Sequence, residues 1–253
     1  MNTLFVIAKN TFQQAIRDKI LYGIILFAFL FIGSTIILSS LAIEENIFII
    51  RTFGLAGIYV FGLIITIFLG ASLIYEEVEK RTTYIMLAKP VTRTSLLIGK
   101  FLGLLSAVAL TTLMMAIAYI AVIYSSGGGI DYPAIIAVGL QIMEMALLIT
   151  ILMLFSIFTT PLASTIYTII ILYIGHLLSL ILEYASKTGG IAKTVLITIY
   201  YLAPNLEKFN IRNLVAHNIP LSWQEVTFSL GYALIYIAFI FYITRLVFNR
   251  KDL

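Results

Sequence analysis

Long apolar runs alternate with short polar breaks along the chain, and the lengths of the runs set the predicted elements. A helix rises about 1.5 Å per residue, so about 20 apolar residues cross a hydrocarbon core of roughly 30 Å. Runs of that length predict six spans, at 20–42, 53–75, 96–124, 134–158, 163–182 and 226–247. The stretch 133–182 is apolar throughout. As a single helix it would measure about 75 Å, so it must fold back. Thr159-Thr160-Pro161 marks the break, because proline lacks an amide donor and crowds the preceding turn. Ahead of the first span, Leu4, Phe5, Ala8, Phe12, Ala15 and Ile16 recur at helical spacing, with Asn10, Gln13, Gln14, Arg17 and Asp18 mainly elsewhere. Residues 1–19 therefore read as an amphipathic helix in the membrane interface. Segment 184–225 is too long for a turn. Within it, Ile191–Leu202 is apolar but too short to span, and suits a helix on or dipping into the outer leaflet. Pro204-Asn205 then opens a polar stretch to Asn218, readable as an outer gate, a docking surface for an extracytoplasmic partner, or a passive lid.

Composition fixes the class. Of 253 residues, 61% are hydrophobic and 11% charged, where a soluble domain carries about 25% charge. The fold class is an all-α integral membrane protein. The uncharged run from Ile20 to Ile43 exceeds a signal-peptide core of about 7–15 residues, so it reads as a retained span. Net charge is +4, too modest to suggest nucleic acid. There is no cysteine, which excludes disulfides, thiol chemistry and cysteine-based metal sites.

Charge is unevenly placed. Residues 76–100 hold 8 of the 28 Asp, Glu, Lys and Arg residues. Six spans put both termini and this loop on one side with 11 Lys and Arg, against 5 on the other. The positive-inside rule makes the richer side cytoplasmic, in a multi-pass protein of the cell (cytoplasmic) membrane. Glu76 with Lys80 and Glu77 with Arg81 stand at i, i+4 in the favourable order, while Tyr75, Val78, Thr82 and Ile85 follow another face. The second span thus continues as a helix to about Ala88. Lys89-Pro90 ends it, and Thr92 or Thr94 caps the next. Such a hairpin is either simply solvated, or a finger docking into a partner.

Glu79-Lys80-Arg81-Thr82, then Ile85-Met86-Leu87, Pro90-Val91-Thr92-Arg93, and Gly99-Lys100 at the next span form a pattern. It resembles the loop of ABC-2-type ABC transporter permeases. The six-span plan and leading amphipathic segment are similar too, most of all to the small half-transporter branch that includes the permease of the nitrous oxide reductase copper-maturation system. Arg81 departs from the glycine usual there, which touches the local turn. The resemblance implies that loop 76–95 holds a coupling helix seated in an ATPase subunit, with Glu76, Glu77, Glu79, Arg81, Pro90, Val91, Thr92 and Arg93 as coupling residues. It implies a second permease chain, identical or related, and no cofactor in this chain, since ATP and Mg would be bound by the partner ATPase. The sequence holds no Gly-x-x-x-x-Gly-Lys-Ser/Thr phosphate loop of its own.

Catalytic sets are thin. His176 and His217 are the only histidines, so a zinc site lacks ligands. Glu144 falls near mid-membrane, where a carboxylate must face protein or a water-filled cavity. It is either a path or ion-coupling residue or a packing residue between permeases. His176, Ser179, Glu183 and Ser186 fall at i, i+3, i+7 and i+10, one stripe of a straight span, and join Glu144 as candidates for the substrate path. If the loop is only solvated, the competing function is an ATP-independent channel or secondary carrier using Glu144.

Overall fold

The computed structural model describes residues 3–40, 46–79 and 92–250, with the side chains of 72–79, 93, 249 and 250 left aside. Ten α-helices and no strand occur among these residues. They are α1 (Thr3–Ile16), α2 (Lys19–Ser40), α3 (Asn46–Glu79), α4 (Arg93–Ser125) and α5 (Tyr132–Ser156). After these come α6 (Pro161–His176), α7 (Leu178–Lys187), α8 (Gly190–Leu202), α9 (Arg212–Ala216) and α10 (Trp223–Arg250), with a 3₁₀ turn at Glu207–Phe209. Five helices, α2, α3, α4, α5 and α10, are long and apolar enough to cross a membrane. A sixth crossing is made if α6 and α7 count as one.

The centre of the bundle is α5, whose residues from Met145 to Met153 are all buried. Helices α3, α4, α6 and α10 pack around it, and α2 lies outside against α3 and α4. The outward faces are apolar: Phe27, Leu30 and Ile37 of α2, Leu162 and Tyr173 of α6, and Phe228 and Ile235 of α10 are all exposed. In a soluble protein such faces would have to be covered; here they match hydrocarbon.

The helix ends follow their sequence signals. Thr160 caps α6, accepting from the Ala163 amide at 3.4 Å, with Pro161 in the first turn. Of the two candidate caps for α4, Thr92 serves, accepting from the Ser95 amide at 3.2 Å. At the other end of α4, Gly127 has φ +83°, and the amides of Gly128 and Gly127 return to the carbonyls of Ile123 and Tyr124. This is a Schellman closure, which needs a left-handed residue at that point.

Three helices differ from expectation. Helix α3 begins at Asn46 rather than 53, because the charge of Arg51 is met inside the protein by Asp131 at 2.7 Å and by Asn218. Helix α1 buries Thr11 and Ala15 and packs Ile7 and Phe12 inward, while Phe5 is 61% exposed, so its inner face is turned away from Phe5. It lies across α4 at Gly99 and Gly103: a Cβ on Gly103 would fall 2.6 Å from the Ala8 carbonyl oxygen and from Thr11 Cβ. Two glycines four apart allow this close approach of backbones. Finally, the helix expected over 163–182 is bent by 61° after His176. The Leu206 amide donates to the Gly175 carbonyl at 3.2 Å, occupying an acceptor that a continuing helix would use. Gly175 has no Cβ to keep Leu206 and the Pro204 carbonyl oxygen away; one would fall 2.7 Å from each.

Candidate functional site

The bend draws the segment after α8 into the bundle. Leu206, Phe209, Ile211 and Val215 are buried against α3, α5 and α10, so residues 204–216 form part of the core rather than a lid above it. Ser229 Oγ donates to the Lys208 carbonyl at 2.9 Å, and the Tyr232 hydroxyl accepts from the Asn205 amide at 2.8 Å, tying the segment to α10.

Where this segment meets the helices, a polar network forms. Glu144 is the midpoint of α5, twelve residues from Tyr132 and twelve from Ser156, and is 1% exposed. The Tyr59 hydroxyl, from the middle of the apolar section of α3, donates to Glu144 Oε1 at 2.8 Å. His176 Nε2 lies 2.8 Å from the same oxygen and 2.7 Å from the Tyr59 hydroxyl. On its other side, His176 Nδ1 lies 2.9 Å from Glu207 Oε2. Asn210 Nδ2 donates to Glu207 Oε1 at 3.0 Å, and Arg212 Nε donates to Asn210 Oδ1 at 2.9 Å. The Arg212 guanidinium stacks 3.5 Å over the Tyr59 ring. Burial pushes Arg212 below the usual arginine range, and the nearby phenol and carboxyl groups oppose that; arginine stays charged in proteins regardless. The Gln141 amide donates to the Ile58 carbonyl at 3.0 Å, fixing α3 against α5 one turn from Glu144.

A second network lies nearer the end of the bundle where α3 and α5 begin. Asp131 Oδ2 accepts from Arg51 Nε at 2.7 Å and from the Tyr119 hydroxyl at 3.0 Å, joining α3, α4 and the start of α5. Asn218, in the left-handed region at φ 55°, closes α9 and reaches Arg51 with its side chain. An open hollow of about 660 Å³ lies beside it, lined by Asn46, Phe48, Ser126 and His217 among others.

Of the sequence candidates, Glu144 and His176 come together. Ser179 and Glu183 do not join them, because the bend takes α7 off the line of α6. Both are exposed, and Glu183 pairs with Lys187 one turn on. Tyr59, Glu207, Asn210 and Arg212 were not singled out from sequence. The signal available was indirect: a carboxyl at mid-span demands partners, and the outer segment supplies a carboxyl, an amide and a guanidinium within six residues. Of the coupling candidates, Thr92 is the cap of α4. Glu76, Glu77 and Glu79 lie on the last turns of α3 and Arg93 at the start of α4, but their side chains fall outside the described ones, as do Arg81, Pro90 and Val91 altogether.

The chain from residue 5 to residue 253 matches the family model described as ABC-2 family transporter protein. Compared with curated proteins one by one, it has no significant match.

Proposed function

The chain belongs to the ABC-2 family of transporter proteins, and on that footing we propose that it forms the substrate path of an exporter driven by a separate ATPase subunit. It is a multi-pass membrane permease, a transport subunit rather than an enzyme. The match over nearly the whole chain carries the reading, since it covers the charged loop along with the helices. In this proposal both termini and loop 76–95 lie in the cytoplasm, Glu76, Glu77, Glu79, Arg81, Pro90, Val91, Thr92 and Arg93 grip the ATPase, and that partner holds ATP and Mg. A second permease chain completes the path between two bundles.

Two features support transmission from the loop. Helix α3 is 34 residues long, about 51 Å, which exceeds a membrane crossing and carries it past its apolar section toward the loop. Helix α4 leaves the loop with α1 clamped across Gly99 and Gly103, so a push on the loop moves both.

The test is co-expression with the neighbouring genes and purification through a tag. A P-loop ATPase should co-purify, and replacing Glu79 and Arg93 together by alanine should lower transport-coupled ATP hydrolysis about tenfold, the equivalent of ~1.4 kcal/mol of docking, with membrane insertion unchanged. Undiminished coupling in the double variant removes this docking site. The competing reading, an ATP-independent carrier or channel, is favoured by the buried contacts of Glu144. It predicts ion-driven transport without ATP that Glu144→Gln abolishes.

A further inference from the structure

With both of its carboxyls ionised, the charges of the mid-bundle network do not cancel. The groups facing Glu144 and His176 are Tyr59 from α3, Glu207 from the 3₁₀ turn and Arg212 from α9. Lys208, next to Glu207, turns away onto the Tyr232 ring at 4.4 Å. Two carboxyl groups thus stand against one guanidinium among the described residues. One further proton makes the network neutral.

That proton has three acceptors in a row. Glu207 Oε2, His176 Nδ1, His176 Nε2 and Glu144 Oε1 follow one another, with hydrogen-bond distances of 2.9 and 2.8 Å on the two sides of the ring. Side-chain exposure falls along the row, 44% at Glu207, 20% at His176 and 1% at Glu144. Imidazole is the side chain that can take a proton on one nitrogen and release one from the other. We infer that His176 relays protons between water at the outer face and Glu144, which makes the buried carboxyl a proton-binding site loaded from that face.

The step balances without any further reactant. Glu207 takes a proton from outer water. Its Oε2–H bond breaks as the Nδ1–H bond forms, and the Nε2–H bond breaks as the Oε1–H bond forms on Glu144. Glu207 returns to the carboxylate, Glu144 becomes the neutral acid, and the ring keeps one proton. The reverse sequence unloads the site. Tyr59 donates to Oε1 while Glu144 is ionised and accepts from it once protonated, so the phenol follows the change without altering its own charge.

The outer placement of residues 204–216 comes from the proposed topology; the ATPase does not enter. The test therefore uses the full-length chain alone, reconstituted in liposomes in one orientation. The carboxylic C=O infrared band of protonated Glu144, identified by its loss in Glu144→Gln, is followed after a pH step on one side. A step from about pH 7.5 to about pH 5.5 outside, across histidine's range, should raise the band, and the same step inside should not. Glu207→Gln should slow the rise about tenfold, which is ~1.4 kcal/mol of barrier, and Glu207→Asp should restore it. A band that follows the inner step equally, that no pH step moves, or that rises undelayed in Glu207→Gln overturns the relay. With the band assigned through Glu144→Gln, the wild-type comparison of the two sides decides the matter even if Glu207→Gln fails to fold. Failure here leaves the ATPase-coupling test untouched.

Discussion

Asp131 shows at the residue scale what a buried charge demands. It is 2% exposed, one carboxylate oxygen takes both Arg51 and Tyr119, and the other has no hydrogen-bond partner among the described residues. Removing one member of a buried ion pair leaves the other uncompensated, which costs more than a lost neutral hydrogen bond. Asp131→Asn keeps the shape and an acceptor for Tyr119 but leaves the Arg51 guanidinium, 13% exposed, without its counter-charge. It should lower stability by about 3 kcal/mol in denaturant unfolding, and Tyr119→Phe by only about 1 kcal/mol. Equal losses would mean that the ion pair counts for no more than the neutral hydrogen bond. Glu144 was legible in the sequence by the same logic, since a carboxyl midway along an apolar run has no water to turn to. Its partners were not legible: Tyr59 lies 85 residues away and His176 lies 32, and no local spacing links them.

Elements that end on local chemistry were foreseen, and those shaped from a distance were not. The break at Thr160-Pro161 and the cap at Thr92 are written in neighbouring residues, and the structure has both. The bend after His176 has its cause in the Leu206 amide, thirty residues on, so the sequence read as one straight stripe. Helix α1 is a middle case. Its helical spacing was plain and its packing face holds Ala8, Phe12 and Ala15 of the apolar set, but that face also takes in Ile7 and Thr11 and leaves Phe5 outside. Gly103→Leu places a side chain where the Ala8 backbone stands, with no flexible neighbour to yield. We expect a loss of about 1–3 kcal/mol and faster protease cleavage at residues 3–16, with the α5 amides as protected from hydrogen exchange as before. Unchanged cleavage would show that α1 does not depend on the glycine groove.

Across the whole molecule, polar contacts hold the bundle at two depths: a clasp at Asp131 near the end where α5 begins, and the Glu144 network at the middle. The segment 204–218 belongs to both through Asn218 and Glu207, is tied to α6 and α10 by backbone groups of Asn205, Leu206 and Lys208, and buries Leu206, Phe209 and Val215. Phe209→Ala should therefore cost about 3–5 kcal/mol and raise hydrogen exchange selectively across residues 204–216. Exchange rising evenly over all helices would mean that the segment does not open as a unit. The all-helical membrane class was legible from run lengths and composition alone. The inward turn of the outer segment was not, because its buried apolar residues sit among polar ones at uneven spacing.

The position of Glu144 on α5 also orders how the protein is made. Synthesis runs from the N-terminus, so when α5 enters the bilayer Tyr59 is already there, while His176, Glu207 and Arg212 have yet to emerge from the ribosome. A mid-helix acid costs about 2.5–3.5 kcal/mol at the insertion machinery, and the leucines, isoleucines and methionines of the same helix must outweigh it unaided. The acid therefore crosses early on the surplus greasiness of its own helix. The last third of the chain arrives afterwards to enclose a group already in place, which makes α5 the surface on which that last third is assembled.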